Sequence, residues 1–323
     1  MPVCNAMPYL PEALKSLLEQ DCDDFEIVVL DDASTDGSAE YLDGIDDSRL
    51  RVLHCPKQGL TKLLNVGLRE ARGSLVARMD ADDVSAPHRL SVQRSFMEAH
   101  ADAVVLGCQS EVIDLGGRSQ GIWEFPAEDV ATKLLLFRNQ TPFLHPGVMF
   151  RRDVAMAVGG YDESLPYCQD RDLWWKLAHR GRFHNHPEFL IRYRRHANSI
   201  STSKYAEQVR LANEITTKYS TLYGIDSTKL PCFQRVEELV RSHRPEYPPM
   251  RGVLTYVTVL NRVLAVAAQR WGAKDVEIRR IRRERWRFLA LGICMRMRPD
   301  RLVRSVVGRI GKLDHPLGTG KDR

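Results

Sequence analysis

The first hundred residues alternate between short apolar runs and amphipathic stretches, and this alternation allows only a narrow range of folds. Apolar runs typical of buried strands occur at 25–30, 51–54 and 74–79. Segments with apolar residues at helical spacing lie between them, at 11–20 and 59–71. Strands that alternate with helices form a mostly parallel sheet with helices on its faces. The sequence therefore predicts an α/β fold with a Rossmann-like sheet.

The pattern loosens after residue 100 and changes again near residue 205. Further strands are predicted at 103–107 and 145–150, and further helices at 130–137 and 172–179. Beyond residue 205 the signals are mainly helical. We predict two domains. The first is an α/β domain over 1–203, with its regular half at about 1–100 and its looser half at about 101–203, and the second is a mainly helical, basic region over 204–323.

Composition restricts the class of protein. Hydrophobic residues make up 43% of the chain and charged residues 28%, as in ordinary globular proteins. We expect no membrane span, because no stretch reaches the roughly 18 apolar residues required. The first ten residues have neither the basic nor the apolar region of a secretory signal. The seven cysteines are scattered without a CxxC pair. Together these features predict a cytoplasmic protein.

Positive charge is concentrated near the C-terminus. The net charge of the chain is +5, but residues 261–312 contain fifteen Lys and Arg against four Asp and Glu. Six arginines accompany Trp286, namely Arg279, Arg280, Arg282, Arg283, Arg285 and Arg287. A basic helix with aromatic residues indicates peripheral contact with the inner face of a membrane. A solvated basic face on a packed helix remains an alternative. Nucleic acid is not expected as a partner, because no recognised module accompanies the charge.

Two acidic clusters follow predicted strands. Asp31 and Asp32 end the first apolar run, and Asp80, Asp82 and Asp83 end the third. In open α/β sheets, ligands bind beyond the carboxyl ends of the strands. Two carboxylates one residue apart can bind one hard cation, and Mg²⁺ is commonly held by one or two carboxylates together with substrate phosphates. A turn with helix-capping acids is the alternative for an isolated DxD tripeptide.

Several motifs occur in a characteristic order. They are Pro2-Val3-Cys4-Asn5, Asp31-Asp32-Ala33-Ser34-Thr35-Asp36-Gly37-Ser38, Gly59-Leu60 through Asn65 and Gly67, Asp80-Ala81-Asp82-Asp83, His145-Pro146, Gly159-Gly160-Tyr161-Asp162-Glu163 and Gln169-Asp170-Arg171-Asp172-Leu173-Trp174. In this combination, over roughly residues 1–203, the sequence resembles the family 2 glycosyltransferases, which are inverting enzymes of the GT-A fold. The resemblance implies a divalent metal cofactor, Mn²⁺ or Mg²⁺.

The resemblance also implies a set of donor and metal residues. Pro2, Val3 and Asn5 would lie in the first nucleotide-binding loop, Asp32 would hydrogen-bond the nucleotide base, and Lys62 would lie near the donor, although a solvated helix face is equally compatible with Lys62. Asp80 and Ala81 would contact the donor. Asp82 would bind the metal, and His196 would complete the metal shell or meet the diphosphate; an exposed loop histidine is the alternative.

The catalytic base implied by the resemblance is Asp170. An inverting transfer needs one carboxylate to accept the proton of the attacking hydroxyl. A metal that stabilises the departing diphosphate removes the need for a leaving-group acid. Helix capping is the alternative role of Asp170, and Asp172 is the nearby competitor for the base. His145 would lie beside the acceptor or metal site. Trp174 and Trp175 could line the acceptor pocket, with at least one of them expected in the core. The resemblance makes 1–203 a catalytic domain, with a nucleotide-sugar half at about 1–100 and an acceptor half at about 101–203.

We therefore predict an inverting glycosyltransferase that moves a sugar from a UDP-, dTDP- or GDP-sugar to a hydroxyl of a glycan or lipid-linked acceptor, in surface polysaccharide synthesis. Two departures from the family pattern stand out. Gln169 replaces a frequent Glu, and the apolar strand expected before Pro2 is missing, so that the sheet lacks its first strand or the sequence belongs to a longer chain. The alternative function is a nucleotide-sugar-binding protein without turnover.

Overall fold

The computed structural model describes residues 1–196, 199, 203–242 and 250–297. The strands are β1 (Pro2–Val3), β2 (Ile27–Asp32), β3 (Leu50–Cys55), β4 (Leu75–Ala77), β5 (Val84–Ser85), β6 (Ala103–Ile113), β7 (Ser119–Trp123), β8 (Met149–Arg151) and β9 (Arg182–Arg194). The helices are α1 (Leu10–Leu18), α2 (Ser38–Asp43), α3 (Leu60–Glu70), α4 (Arg89–Ala99), α5 (Asp129–Phe137), α6 (Arg152–Ala157), α7 (Gln169–Leu177), α8 (Tyr205–Leu222), α9 (Leu230–Ser242), α10 (Met250–Arg270) and α11 (Asp275–Met297). The predicted linker at 244–249 and the basic tail beyond 297 lie outside the described residues.

The first sheet contains β1, β2 and β3 in that order, and all of its pairs are parallel. In β1, Pro2 lies opposite Leu30 and Val3 lies opposite Asp31. The predicted absence of a first strand is therefore wrong in this respect: a strand of two residues occupies the place beside β2. It carries the chain directly into the loop that begins at Cys4.

The second sheet follows the order β4-β8-β6-β9-β5, with β7 paired to β6. Only β6 and β9 pair in parallel, and the other pairs are antiparallel. The predicted parallel arrangement thus describes the first sheet, whereas the second is mixed. The predicted strand at 145–150 begins instead with a 3₁₀ turn over His145–Gly147, because Pro146 lacks the N–H group that a central strand would use. The mixed α/β fold flanked by helices is confirmed.

A hydrophobic core joins the helices of both predicted domains. It contains residues of the second sheet and α7 together with residues of α8, α9, α10 and α11. Trp174 and Trp175 are both fully buried there, and Trp175 stacks on Tyr219 of α8 at 5.3 Å between ring centroids. The prediction that these tryptophans line an acceptor pocket is wrong. The domain boundary predicted at residue 203 lies between β9 and α8, and residues on both sides of it belong to this core.

The helical C-terminal region also bonds directly to the rest of the fold. The Glu277 carboxylate of α11 accepts a hydrogen bond at 2.8 Å from the Val130 amide, in the first turn of α5. Carboxylates are favourable at helix N-termini because free N–H groups point at them. The helical region therefore satisfies backbone groups of the first domain.

One described helix is long and apolar enough to cross a membrane by length and composition. It spans Arg251–Arg270 within α10, with a mean hydropathy of 1.3. The expectation that no such stretch exists is therefore wrong. Half of this stretch is buried inside the fold, and Tyr256, Val263 and Ala267 are fully buried. That pattern is also found in core helices of globular proteins.

Candidate active site

The acidic residues that follow β4 form one cluster. Asp80, Asp82 and Asp83 each place a carboxylate oxygen within 4.8 Å of the others. Asp80 and Asp82 are partly exposed, whereas Asp83 is buried. The cluster therefore lies at the carboxyl end of β4, as predicted, and two of its members can be reached from solvent.

Burial disfavours the negative charges of Asp82 and Asp83 in this cluster. Burial raises the pKa of Asp82, and the charge of Asp80 raises it further. Burial also raises the pKa of Asp83 well above its usual range, together with the charges of Asp80 and Asp82. The Oδ2 atom of Asp83 is buried and has no hydrogen-bond partner among the described residues. Such a group of oxygens fits a bound cation, which reverses these pKa shifts.

His196 completes this side of the site. Its Nε2 atom lies 3.0 Å from Oδ2 of Asp82, although 114 residues separate the two in sequence. The imidazole stacks on the ring of Tyr9, with 5.6 Å between centroids. The structure thus brings His196 to the acidic cluster, as the resemblance implied.

Asp32 lies at the carboxyl end of β2, and its side chain is buried. It accepts hydrogen bonds from the backbone N–H groups of Gln58 at 2.7 Å and Gly59 at 3.1 Å. The ammonium of Lys57 lies 3.2 Å from its Oδ2 atom. The predicted Lys62 is exposed on α3. Lys57, which the sequence did not single out, therefore contacts Asp32, whereas Lys62 lies on the solvated face of α3.

The loop after β1 is bonded to the loop after β2. The Asn5 side-chain oxygen accepts a hydrogen bond from the backbone N–H of Thr35 at 2.8 Å. The backbone N–H of Asn5 donates to Ser34 Oγ at 3.0 Å. Val3 is buried in the core, and Pro2 is partly buried. Of the predicted nucleotide residues here, Val3 therefore offers a ligand only its backbone, while Asn5 shapes the loop.

Asp170 lies in the first turn of α7. Burial raises the pKa of its carboxyl group, and the neighbouring charges of Arg171 and Arg78 partly oppose that shift. Cys168 precedes the helix with a φ of 58°, in the left-handed region that few non-glycine residues adopt. This sharp entry sets the direction in which α7 begins, with Asp170 in its first turn.

Asp172, the competitor for the base, is held by other side chains. It is fully buried, its Oδ2 atom lies 2.7 Å from the Lys176 ammonium, and its Oδ1 atom accepts a hydrogen bond from the Tyr219 hydroxyl at 2.8 Å. Both oxygens are thus occupied in the fold. Asp172 is therefore held within the fold, whereas Asp170 lies in the same first turn of α7 and is partly exposed.

His145 lies deeper than the resemblance implied. It is buried, and its Nε2 atom forms a hydrogen bond of 2.9 Å with the Tyr161 hydroxyl. Burial and the nearby charge of Arg78 lower the pKa of His145 well below its usual range. Its hydrogen bond ties the 3₁₀ turn over His145–Gly147 to Tyr161.

Comparison with known proteins places this geometry in a family. The Glycosyl transferase family 2 pattern matches residues 1–159. The amylovoran biosynthesis glycosyltransferase AmsE of Erwinia amylovora is 30% identical over 196 residues, which cover 59% of this chain and 73% of AmsE. The chain belongs to glycosyltransferase family 2. The O-antigen biosynthesis glycosyltransferase WbnJ of Escherichia coli is 29% identical over 206 residues, covering 61% of this chain and 79% of WbnJ.

A solved structure supports the fold of this glycosyltransferase. S. aureus TarS, crystallised as residues 1–349 with UDP-GlcNAc, superposes with a TM-score of 0.58 at 20% sequence identity. The match covers 81% of this chain and 79% of the TarS chain. The predicted GT-A fold is confirmed.

Sequence reasoning missed Arg78 of this family 2 glycosyltransferase. Its guanidinium is 6% exposed and forms an ion pair with Asp80. Its charge also acts on Tyr161, His145 and Asp170. An arginine within an apolar run signals a buried ion pair, because an isolated charge is too costly to bury.

Arg194 was also missed, and it connects the loop that carries Asp80, Asp82 and Asp83 (the acidic loop) to β9, to the β6–β7 turn and to α1. Its backbone N–H donates to Asp83 Oδ1 at 2.8 Å, and its Nε donates to the Asp82 carbonyl at 2.8 Å. Its Nη1 donates to the carbonyls of Asp114 and Leu115, in the β6–β7 turn. Its Nη2 pairs with Glu12 of α1. No sequence pattern links partners so far apart along the chain.

Replacing Arg194 should therefore loosen the acidic loop. Arg194→Met is expected to lower the free energy of unfolding by about 3–5 kcal/mol, because it leaves buried acceptors without a donor. It should also weaken Mn²⁺ binding. Urea unfolding and Mn²⁺ titration measure the two effects. Arg195→Met is the matched control, since Arg195 is exposed; equal destabilisation by both variants would contradict this role.

Proposed function

We propose that this glycosyltransferase transfers a sugar with inversion from a nucleotide-diphosphate sugar to an acceptor hydroxyl. One observation carries the proposal: Asp80, Asp82 and Asp83 place their carboxylate oxygens within 4.8 Å of one another after β4, and His196 lies 3.0 Å from Asp82. These groups suit a metal-bound leaving diphosphate. Arg78, which pairs with Asp80, also opposes the rise in the pKa of Asp170, the group suited to the attacking hydroxyl. Asp32 and the loop bonded to it at Gln58 and Gly59 would bind the nucleotide.

A divalent cation, Mn²⁺ or Mg²⁺, fits the acidic cluster. The orphaned Oδ2 atom of Asp83 and the close carboxylates of Asp80 and Asp82 supply the oxygen ligands that these ions prefer. The imidazole of His196 adds a nitrogen ligand acceptable to Mn²⁺. Asp82 and His196 would hold the ion, with Asp80 turned toward the donor. When bound, the ion supplies electrostatic stabilisation for the departing diphosphate.

The chemical step assigned to the protein is proton transfer at Asp170. As the acceptor oxygen forms its bond to the anomeric carbon, the bond from that carbon to the diphosphate oxygen breaks. The proton of the acceptor hydroxyl passes to the Asp170 carboxylate. A single displacement of this kind inverts the anomeric centre, and it needs no covalent intermediate on the protein.

The acceptor proposed here is a growing surface polysaccharide or its lipid-linked precursor. Two similar proteins, AmsE and WbnJ, are named for amylovoran and O-antigen biosynthesis. The solved neighbour TarS was crystallised with UDP-GlcNAc. UDP-, dTDP- and GDP-sugars are accordingly the donors to test first.

A donor screen tests this function. The purified protein is incubated with each sugar nucleotide, Mn²⁺ or Mg²⁺ and a panel of glycan acceptors, and products are detected by mass spectrometry. We expect one donor to give transfer, and NMR of that product to show an anomeric configuration opposite to that of the donor. Saturable donor binding without nucleotide release would favour the alternative, a sugar-nucleotide-binding protein without turnover.

The pH dependence of transfer follows from the Asp170 environment. A base must be deprotonated, so kcat/KM should rise with pH as this carboxyl group loses its proton. Because burial raises its pKa, the rise should occur at higher pH than for an exposed aspartate. A pH profile of kcat/KM at saturating Mn²⁺ measures the midpoint. A flat profile through the acid range would contradict the assignment.

We also propose that the protein works in the cytoplasm at the inner face of the membrane, through α11. Arg279, Arg282, Arg283 and Trp286 follow helical spacing and are exposed, so they share one face. Ile278 and Ile281 on the opposite face are buried. The packed helix thus presents a basic, aromatic stripe to solvent.

Neutralising that stripe should release the protein from anionic vesicles. The triple variant Arg279→Gln, Arg282→Gln, Arg283→Gln is expected to reduce partitioning on the order of 100-fold, at about 1 kcal/mol for each basic residue. Flotation with phosphatidylglycerol vesicles measures this. The matched control changes three other exposed arginines, Arg69, Arg72 and Arg118. Equal binding by both triple variants would contradict membrane contact through α11.

A further inference from the structure

Two aromatic rings meet at the surface of the second sheet. The ring centroid of Trp123 in β7 lies 5.2 Å from that of Tyr193 in β9, and the ring planes are tilted by 31° to each other. Trp123 is 38% exposed, and Tyr193 is partly buried. Aromatic side chains at protein surfaces are enriched where ligands and partners bind. We call Trp123 and Tyr193 the aromatic platform.

The strand register explains why these two rings meet. Trp123 lies opposite Ser110 of β6, and Tyr193 lies opposite Val112 of the same strand. Because alternate residues of a strand share a face of the sheet, Ser110 and Val112 lie on one face, and both are buried. The rings therefore come over β6 from its two neighbouring strands, one from each side.

Gly121 keeps space open beside the platform. It lies opposite Val112 on β7, one row away from Trp123. Its φ is 132°, in a region that favours glycine. Apart from its chain neighbours, no atom of the described residues lies within 4 Å of the position that a Cβ would take. On this face of β7 a flat ligand can therefore lie against the Trp123 ring without meeting a side chain at 121.

The platform adjoins the acidic loop. Tyr193 directly precedes Arg194, whose backbone N–H donates to Asp83 Oδ1 at 2.8 Å. The same segment leads on to His196, whose Nε2 atom lies 3.0 Å from Asp82. Tyr193 thus belongs to the stretch of chain that contacts the proposed metal ligands, and the platform flanks the site where the sugar would be transferred.

The platform lies on the sheet opposite to the nucleotide residues. Asp32, which would bind the nucleotide, ends β2 of the first sheet, whereas β7 and β9 belong to the second. Asp170, the proposed base, lies in α7, and α7 packs in the same core as residues of the second sheet. A ligand on the platform would therefore lie on the side of the acceptor.

We propose that the aromatic platform binds one pyranose ring of the acceptor glycan. The face of an aromatic ring carries partial negative charge. The C–H groups on the flat face of a pyranose carry partial positive charge, so the two faces attract each other and exclude water. This contact would hold the acceptor chain while its hydroxyl meets Asp170. The inference rests on the proposed function, because it assigns the acceptor of that same site.

Binding of simple glycosides tests the platform without sugar transfer. The probes are the methyl β-glycosides of glucose, galactose and N-acetylglucosamine, titrated into the full chain and followed by saturation-transfer-difference NMR. We expect the ring C–H protons of at least one probe to receive saturation. Trp123→Ala should raise the Kd of that probe about ten-fold, whereas Trp123→Phe, which keeps a ring face, should bind it nearly as well as wild type.

Ile122→Ala is the matched control for these variants. Ile122 is exposed on the same strand, but its side chain points to the opposite face of the sheet. Its replacement should leave the Kd of the glycoside unchanged. Lack of saturation transfer to every probe in the wild-type chain, an unchanged Kd in Trp123→Ala, or an equal loss in Ile122→Ala would each overturn the platform.

Kinetics with the acceptor found in the donor screen separates this inference from the proposed function. Trp123→Ala should raise KM for the acceptor about ten-fold, with kcat and the KM for the donor near wild type, because the ring contact is the same before and during transfer. Glycoside binding without any transfer would contradict the proposed function and leave the platform standing. Transfer with an unchanged acceptor KM in Trp123→Ala would overturn the platform alone.

Discussion

Asp170→Asn is expected to reduce kcat for sugar transfer by about 10²–10⁴-fold. The amide keeps the size of the side chain but cannot accept the proton of the acceptor hydroxyl. Donor and Mn²⁺ binding should stay near wild-type values, because the acidic cluster and Asp32 are unchanged. Single-turnover kinetics with isothermal titration of the donor separates the two quantities.

Asp172→Asn is the control for that experiment. It removes the charge that pairs with Lys176, four residues further along α7, so it should lower the Tm while the folded fraction keeps its turnover. If Asp170→Asn retained full turnover and Asp172→Asn lost it at a temperature where both are folded, the base would have to be reassigned.

Asp82→Asn is expected to weaken Mn²⁺ binding by at least about 100-fold, since loss of second-shell partners alone costs 10–100-fold. Transfer should fall with it and should not recover at moderate Mn²⁺ concentrations. Electron paramagnetic resonance of free Mn²⁺ measures the affinity directly. Asp153→Asn, at an exposed acid of α6, is the matched control. Unchanged Mn²⁺ affinity in Asp82→Asn would exclude this residue as a ligand.

When no metal is bound, Asp82→Asn should not lower the stability of the fold, although it weakens Mn²⁺ binding. The pKa of Asp82 is raised in the fold, so its charged form is less favourable in the folded chain than in the unfolded chain. The resulting stability is present at low pH and is lost as pH rises through the raised pKa. At neutral pH and without metal, Asp82→Asn should therefore have a Tm equal to or above wild type.

The acidic cluster could be predicted because it is local. Asp80, Asp82 and Asp83 follow one apolar run, and the end of a strand fixes where their side chains begin. His196 joined the cluster only through resemblance, since a contact across 114 residues leaves no local signal. The same reason hid Arg194, whose partners lie on three separate segments: the acidic loop, the β6–β7 turn and α1.

The fold was predictable where periodicity was strong. Runs such as 25–30 gave the parallel first sheet, but β9 was missed because its sequence, from Arg182 to Arg194, mixes charged and apolar residues. Pairing with β6 stabilises β9 regardless of its low local strand preference. The burial of Trp174 and Trp175 likewise depends on α8 and its neighbours, which lie far along the chain.

The bond between Tyr219 of α8 and Asp172 of α7 has a consequence for how such enzymes diversify. α7 carries the proposed base, Asp170, in its first turn. It is held by Tyr219, which lies beyond the domain boundary predicted at residue 203. A chimera joined between α7 and α8 would place a different side chain against Asp172. The position of α7, and with it that of Asp170, would then change. Segments exchanged between this chain and another family 2 enzyme should therefore give active chimeras only when α7 and α8 are taken together.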